Sequence, residues 1–246
     1  MSVMFDATTA GLRLDAESFI TLAEYATDPA GACDRTLRDL ADVGAVVDGA
    51  PHPALRGALA AVTNSLASLQ VLVTEPEGVA LHQGWLARVS AMLTDLGDGT
   101  YDFESVGTEF VPTTIARLAG LGPRPRLAAG SVSVDEEVLD GLVSNFVSRR
   151  AATGEALADL LTPWPAVSAA ARMGGWRTAC VDIAFPVRDR TVARRLAWVD
   201  TDAGMLRVEA DDHGPVLVPT TPTELWRALV SILPADLDTD SMACPL

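Results

Sequence analysis

Three histidines, His52, His82 and His213, and three cysteines, Cys33, Cys180 and Cys244, are the residues through which this chain could most readily move a proton, attack a carbonyl or hold a metal. None stands in the pattern such chemistry needs. The histidines are far apart and build no H-E-x-x-H zinc pair. A catalytic imidazole needs a neighbour to orient it, and no such neighbour is evident. His82 reads as part of a turn between two strands, His213 as part of another turn, and His52 lies between Pro51 and Pro53; surface turn residues are the expectation for all three. The cysteines are odd in number, widely spaced and free of C-x-x-C, so neither a zinc site nor a disulfide framework is expected. Cys180 alternates with strand residues and reads as a small buried hydrophobe. Asp200 to Gly204 and Asp236 to Asp240 superficially resemble calcium loops. Both lack the glycine and glutamate that the geometry requires, and they read as a hairpin turn and a solvated tail.

All the positive charge comes from arginine; lysine is absent. That removes a Walker A lysine, a Schiff-base lysine and a Ser-x-x-Lys acylating pair. Neither G-x-G-x-x-G nor G-x-S-x-G occurs. The reading is therefore non-enzymatic, with no catalytic residue, cofactor or metal assigned. With a formal net charge of −15, most of the surface repels a phosphate backbone, so nucleic-acid binding is not expected. Arg188, Arg190, Arg194 and Arg195 form the one basic run. It reads either as a solvated turn and edge strand, where charge discourages unwanted pairing, or as a contact for an acidic partner segment. Trp164, between Pro163 and Pro165, is either a staple at a helix start or an exposed anchor. No stretch approaches the roughly 18 uninterrupted apolar residues of a membrane span. The N-terminus lacks a signal-peptide pattern, so a cytoplasmic protein without membrane insertion is expected.

Hydrophobic periodicity sets out the elements. Helices are expected from Asp15 to Tyr25, around Leu37 to Gly44, and along Leu55, Leu59, Val62, Leu66 and Leu69. Gln70 to Thr74 reads as a strand, Glu75-Pro76-Glu77-Gly78 as a turn, and Trp85 to Leu93 as one longer strand. Gly97-Asp98-Gly99 marks a hairpin before Tyr101 and Phe103. Ser133-Val134-Asp135-Glu136 reads as a capping box opening a helical stripe from Val134 to Val147. Further helices run from Thr153 to Leu161 and from Pro163 to Met173. Val181, Ile183 and Phe185 alternate as a strand, and Thr221, Pro222 and Glu224 begin the last helix.

Two segments repeat: Phe110-Val111-Pro112-Thr113-Thr114 and Leu217-Val218-Pro219-Thr220-Thr221. At the same offset Gly97 falls on Gly204 and Gly107 on Gly214. Each Pro-Thr-Thr is expected to end a strand and cap a helix. The chain thus reads as one domain over 1–246 made of two copies, about 12–122 and 132–234, with a flexible tail at 235–246. Each copy holds about three helices, three or four antiparallel strands and a final helix. The fold class is α+β: a central antiparallel sheet from two pseudo-twofold-related repeats, flanked by two helical bundles.

Leu40 to Gly49 followed by His52-Pro53-Ala54-Leu55, and Trp198 to Gly204 followed by Val218-Pro219-Thr220-Thr221, resemble segments of the EspG family of ESX (type VII) secretion-associated chaperones. The resemblance spans roughly 12–234. It implies the symmetric sheet-and-bundle fold and a cytosolic, non-catalytic protein that covers the apolar tip of a secreted helical-hairpin substrate, PE-PPE-like or WXG100-like. It also implies a binding surface at the loop from Glu75 to Gly84 and on the helices within 133–173. The loop candidates are Glu75, Pro76, Glu77, Val79, Leu81 and His82. Those on the helices are Arg149, Trp164, Val167 and Met173. Val79 and Leu81 either present apolar contacts or tuck back onto the sheet. A monomer or homodimer is expected. The alternative is a small-molecule-binding or enzymatic α+β protein with its site between the copies.

Overall fold

The structure is a computed structural model describing residues 3–28, 34–188 and 190–234. It begins with β1 (Met4–Asp6), β2 (Gly11–Asp15), α1 (Ala16–Thr27) and α2 (Asp34–Asp42). A two-strand ribbon, β3 (Val46–Val47) and β4 (Ala50–Pro51), leads through a 3-10 turn at Pro53–Leu55 into α3 (Arg56–Thr63). Four strands follow: β5 (Ala67–Thr74), β6 (Val79–Leu86), β7 (Val89–Asp95) and β8 (Thr100–Gly107). A 3-10 turn at Thr108–Phe110 opens α4 (Val111–Leu118). Beyond a linker come β9 (Val132–Ser133), α5 (Glu136–Leu142), α6 (Val147–Leu160) and α7 (Pro165–Arg172). Four more strands, β10 (Trp176–Val187), β11 (Arg190–Thr201), β12 (Gly204–Asp211) and β13 (Gly214–Thr220), lead to α8 (Pro222–Ile232).

Among the described residues one antiparallel sheet of 11 strands runs β1-β2-β8-β7-β6-β5-β10-β11-β12-β13-β9. The fold is α+β. Its central joint is β5 against β10, from Thr74 opposite Thr178 to Ser68 opposite Ala184. Period-2 alternation divides the sheet into two faces. On one, Leu69, Val71, Val181, Ile183, Leu196 and Trp198 form a core with Ile115 of α4 and Leu225 and Leu229 of α8. On the other, Ala91, Leu93 and Phe103 pack with Phe19, Leu22, Leu40 and Leu59 from the first three helices. At the far end of that second face, Trp176, Val199, Leu206 and Leu217 pack with Leu142, Leu157, Trp164 and Val167 from α5–α7.

Several boundaries differ from the sequence reading. The apolar run from Leu55 to Leu69 is helical only as far as Thr63; Asn64 caps it, and Leu69 pairs with Gly84 in the sheet. Trp85 to Leu93 is two strands joined by a tight turn, where Ser90 Oγ donates to the Ala87 carbonyl at 3.2 Å. The stripe from Val134 to Val147 breaks after Leu142. Ser133 forms no capping box; it lies in β9, and Asp135 precedes the helix without a side-chain cap bond.

The two Pro-Thr-Thr segments are not structural equivalents. Pro112 lies in the first turn of α4, and Phe110 and Val111 are helical, not strand. Pro219 lies inside β13 opposite Leu206, and α8 starts at Pro222 with the expected Thr221–Glu224 capping box. The shared offset also sets the β7–β8 turn at Gly97 on the β11–β12 turn at Gly204, so it aligns unlike hairpins. Cys33, Cys244, Asp236 to Asp240 and the expected tail lie outside the described residues.

Candidate functional site

The turn between β5 and β6 is held by its own backbone and by two arginines, Arg177 and Arg150. Glu75 N–H donates to the Gly78 carbonyl at 2.9 Å, closing the turn. The Glu75 carboxylate accepts from Arg177 Nε at 2.7 Å. Arg150, on α6, is 2% exposed and reaches the turn from the side. Its Nε donates to the Glu75 carbonyl at 2.9 Å and its Nη2 to the Pro76 carbonyl at 3.1 Å. Its Nη1 donates to the Ser144 carbonyl at 2.6 Å, in the link between α5 and α6. One guanidinium thus fixes the turn to that link, which its planar fork can do and a lysine ammonium could not. Gly174, at φ +76°, ends α7 next to Pro76; the left-handed backbone suits glycine.

Beneath the turn lies a polar cavity of about 220 Å³, lined by Glu75, Arg177, Arg124 and Asp200 among others. Arg124, from the linker, grips the buried Asp200 carboxylate with two bonds of 2.8 and 2.9 Å. Burial pushes the Asp200 carboxyl above the ordinary aspartate value, and Arg124 pulls the other way.

Three apolar side chains around the turn face solvent: Phe146 at 72%, Val147 at 57% and Met173 at 82% exposed. Phe146 and Val147 lie between the Ser144 carbonyl that Arg150 holds and Arg150 itself. From the turn the surface continues onto the sheet. Leu81 stands opposite Leu72, and Gln83 opposite Gln70. On the neighbouring strand Cys180 is opposite Leu72 and Asp182 opposite Gln70. Leu81 and Gln70 are exposed, and Leu72, Gln83, Cys180 and Asp182 are half-buried. This is the part of the second sheet face left between the α1–α3 and α5–α7 cores. A partly apolar surface with a polar rim is the usual make-up of a protein interface.

The sequence candidates divide between this surface and the core. Glu75, Pro76, Glu77, Val79, Leu81, Arg149 and Met173 reach solvent at least in part. His82 does not lie in a turn. It is in β6 opposite Val71, on the face beneath α4, 5% exposed. Its Nδ1 accepts the Asp95 N–H at 3.1 Å, and burial lowers its pKa below the ordinary 6.5 against the pull of Asp95. Trp164 is 4% exposed and donates Nε1–H to the Ala128 carbonyl at 2.9 Å; of its two readings the staple is the one formed. Val167 is fully buried beside it. Cys180 is half-buried, and burial, with Asp182 beside it, pushes its thiol up to about 12. Phe146 and Val147, counted into a buried stripe from spacing, are exposed because the helix breaks before them. Arg150, Gln70 and Leu72 are surface and clamp residues that the sequence pattern does not mark as a site. Only the strand alternation of Gln70 and Leu72 carried a signal.

Among the described residues no cluster of three or more His, Cys, Asp or Glu side chains could hold a metal ion. No helix there is long and apolar enough to cross a membrane.

The EspG family model matches residues 14–231. This chain belongs to the EspG family. The EspG architecture also appears in the comparison of folds. The type VII secretion system chaperone EspG5 of Mycobacterium tuberculosis, solved in complex with a PE25-PPE41 dimer, is similar over 92% of this chain and 97% of that one. The TM-score is 0.61 at 14% identity, so the likeness is one of fold. No curated protein matches the sequence.

Proposed function

We propose that this EspG-family chain is a non-enzymatic chaperone for type VII secretion that holds a helical, PE-PPE-type substrate before export. The observation that carries this reading is the family match across 14–231. The fold shared with a chaperone solved on a PE25-PPE41 dimer supports it. The substrate's apolar tip docks on the β5–β6 turn, the adjoining Leu72–Leu81 sheet face, and Phe146, Val147, Arg149 and Met173. Trp164, Val167 and His82 support that surface from beneath. The rigid turn lowers the ordering cost of binding. Because the protein covers an apolar tip and does not transform it, no catalytic group is required.

We further infer that the domain is two repeats, about 12–122 and 132–234, related by a pseudo-twofold axis between β5 and β10, each with its own helical bundle. Support comes from the strand order, which reads alike in both directions from that joint: four consecutive antiparallel strands, then one helix on the shared core.

The test is co-expression with a PE-PPE pair from the same genome, followed by affinity capture and light scattering. A stoichiometric soluble complex is expected. If the pair remains aggregated or elutes apart from the chain, with every co-encoded pair tried, the reading fails.

A further inference from the structure

Strand β11 pairs with β10 along its whole length, from Arg190 opposite Val187 to Thr201 opposite Trp176. On its other side β12 pairs with Trp198–Thr201 alone. Arg190 to Ala197 therefore has a strand on one side only among the described residues. Arg190, Thr191, Ala193, Arg194 and Arg195 are exposed. Along such an edge alternate residues point their backbone N–H and C=O groups outward, where a further strand can bond to them.

The same sheet contains a contrasting case. Strand β6 also splays from its neighbour, with β7 pairing to Gln83–Trp85 alone. There the gap is closed: Leu81 N–H donates to the Asp95 carboxylate at 3.3 Å, and Asp95 N–H donates to His82 Nδ1 at 3.1 Å. Among the described residues no comparable group bonds to the main chain of Arg190–Ala197 from outside β10.

The open edge is basic in an acidic chain. Arg194 donates to the Ser231 carbonyl at 3.1 Å and lies 5.1 Å from the Phe185 ring centre, and Arg195 pairs with Asp182 at 2.6 Å. Arg188 and Arg190, at the hairpin tip, are exposed and make no ion pair among the described residues. We propose that this edge accepts an extended, acidic segment of a partner protein as an added strand. Main-chain bonds would supply affinity, and Arg188 and Arg190 would select the charge. A second copy laid antiparallel on the same edge would bring Arg194 and Arg195 against their counterparts, and like charges across a strand pair repel. The site is at the far end of β10 from the substrate turn. Thr178 is the residue opposite Thr74, and the nine steps from it to Val187 span roughly 30 Å. The two surfaces can be occupied and tested separately.

The experiment uses the full chain and a fluorescent peptide of about eight residues alternating glutamate and valine. A matched peptide carries lysine for glutamate. The glutamate peptide is expected to bind, to slow hydrogen exchange of the amides between Arg190 and Ala197, and to weaken with salt. Arg188→Glu with Arg190→Glu should weaken it about tenfold, the scale of two exposed charge contacts reversed. Capture of the helical substrate should be unchanged. Ala193→Pro is a second variant, blocking the ladder without altering charge. Equal binding of both peptides, or no added protection at 190–197, overturns the proposal. So does a chain shortened to residue 234 in which that edge exchanges faster and the peptide binds tighter, because the occupant is then the chain's own acidic end. A dimer that dissociates on Arg190→Glu overturns it in favour of a second copy.

Discussion

Arg150 Nε donates to the carbonyl oxygen of Glu75 at 2.9 Å, joining two residues that belong to different halves of the chain. The guanidinium is buried, and its partners are carbonyl oxygens of Glu75, Pro76 and Ser144. Arg150→Met keeps the stem's packing and removes every one of these bonds. The stranded carbonyls should cost about 2 kcal/mol of stability. The turn amides, Gly78 in particular, should exchange faster by mass spectrometry. Arg150→Lys should recover little, because a point charge cannot span both the turn and the Ser144 link. Unchanged exchange at the turn in both variants would show that the turn holds itself.

The exposed apolar residues beside that clamp separate binding from folding. Phe146→Ser and Met173→Ser remove surface that is largely in water already, so thermal unfolding should move by no more than about 0.5 kcal/mol equivalent. If these residues anchor the substrate tip, the same changes should weaken capture by about 2 kcal/mol, near thirtyfold. A normal dissociation constant in both variants would place the tip elsewhere.

What could be read from the sequence follows from how local its cause is. The start of α8 was legible because Thr221, Pro222 and Glu224 cap it among themselves. The Gly97–Gly99 and Asp202–Gly204 turns were legible for the same reason. Val-Pro-Thr-Thr was not, because identical residues serve a helix at Pro112 and a strand at Pro219. Past Leu217, β13 has a neighbouring strand on one side only among the described residues, where a proline is tolerated. Glu75, Glu77 and Leu81 came from a turn pattern and a resemblance. Arg150 could not have come from either, since its partners at Glu75 and Pro76 are far away in the chain. His82 reads as a turn residue, not a strand residue, because periodicity alone does not say where β6 begins.

Arg124 and Asp200 make a second, testable cross-link, between the linker and β11. Arg124→Gln leaves a carboxylate, 3% exposed, without its counterion. That should cost about 3 kcal/mol. Asp200→Asn added to it should recover much of the loss, because the buried group is then neutral. Additive losses measured by urea unfolding would mean that the two residues do not act as a pair.

Gly154, in the middle of α6, reverses the usual helix rule. In an open helix Gly→Ala gains about 1 kcal/mol. Here a Cβ would come within 2.4 Å of Trp176 Nε1, whose ring is buried. Gly154→Ala should instead destabilise by about 1–3 kcal/mol through overpacking. It should also dull the near-ultraviolet dichroism of the tryptophans. A rise in melting temperature would show that the α6–β10 contact is loose.

His82 should make stability depend on pH. In the folded chain its pKa lies below 6.5, first because of burial, although Asp95 pulls it up. Protonating Nδ1 also breaks its bond from the Asp95 amide. Below about pH 6.5 the unfolded chain therefore takes up a proton that the folded chain resists. Unfolding is favoured as the pH falls through that window, and the stability is fully present above it. His82→Gln cannot titrate, so its melting temperature should fall less than the wild type's between pH 7.5 and 5.5. The carboxylates titrate alike in both proteins and cancel from the comparison. Parallel melting curves across that range would mean that the folded chain accommodates the imidazolium without cost.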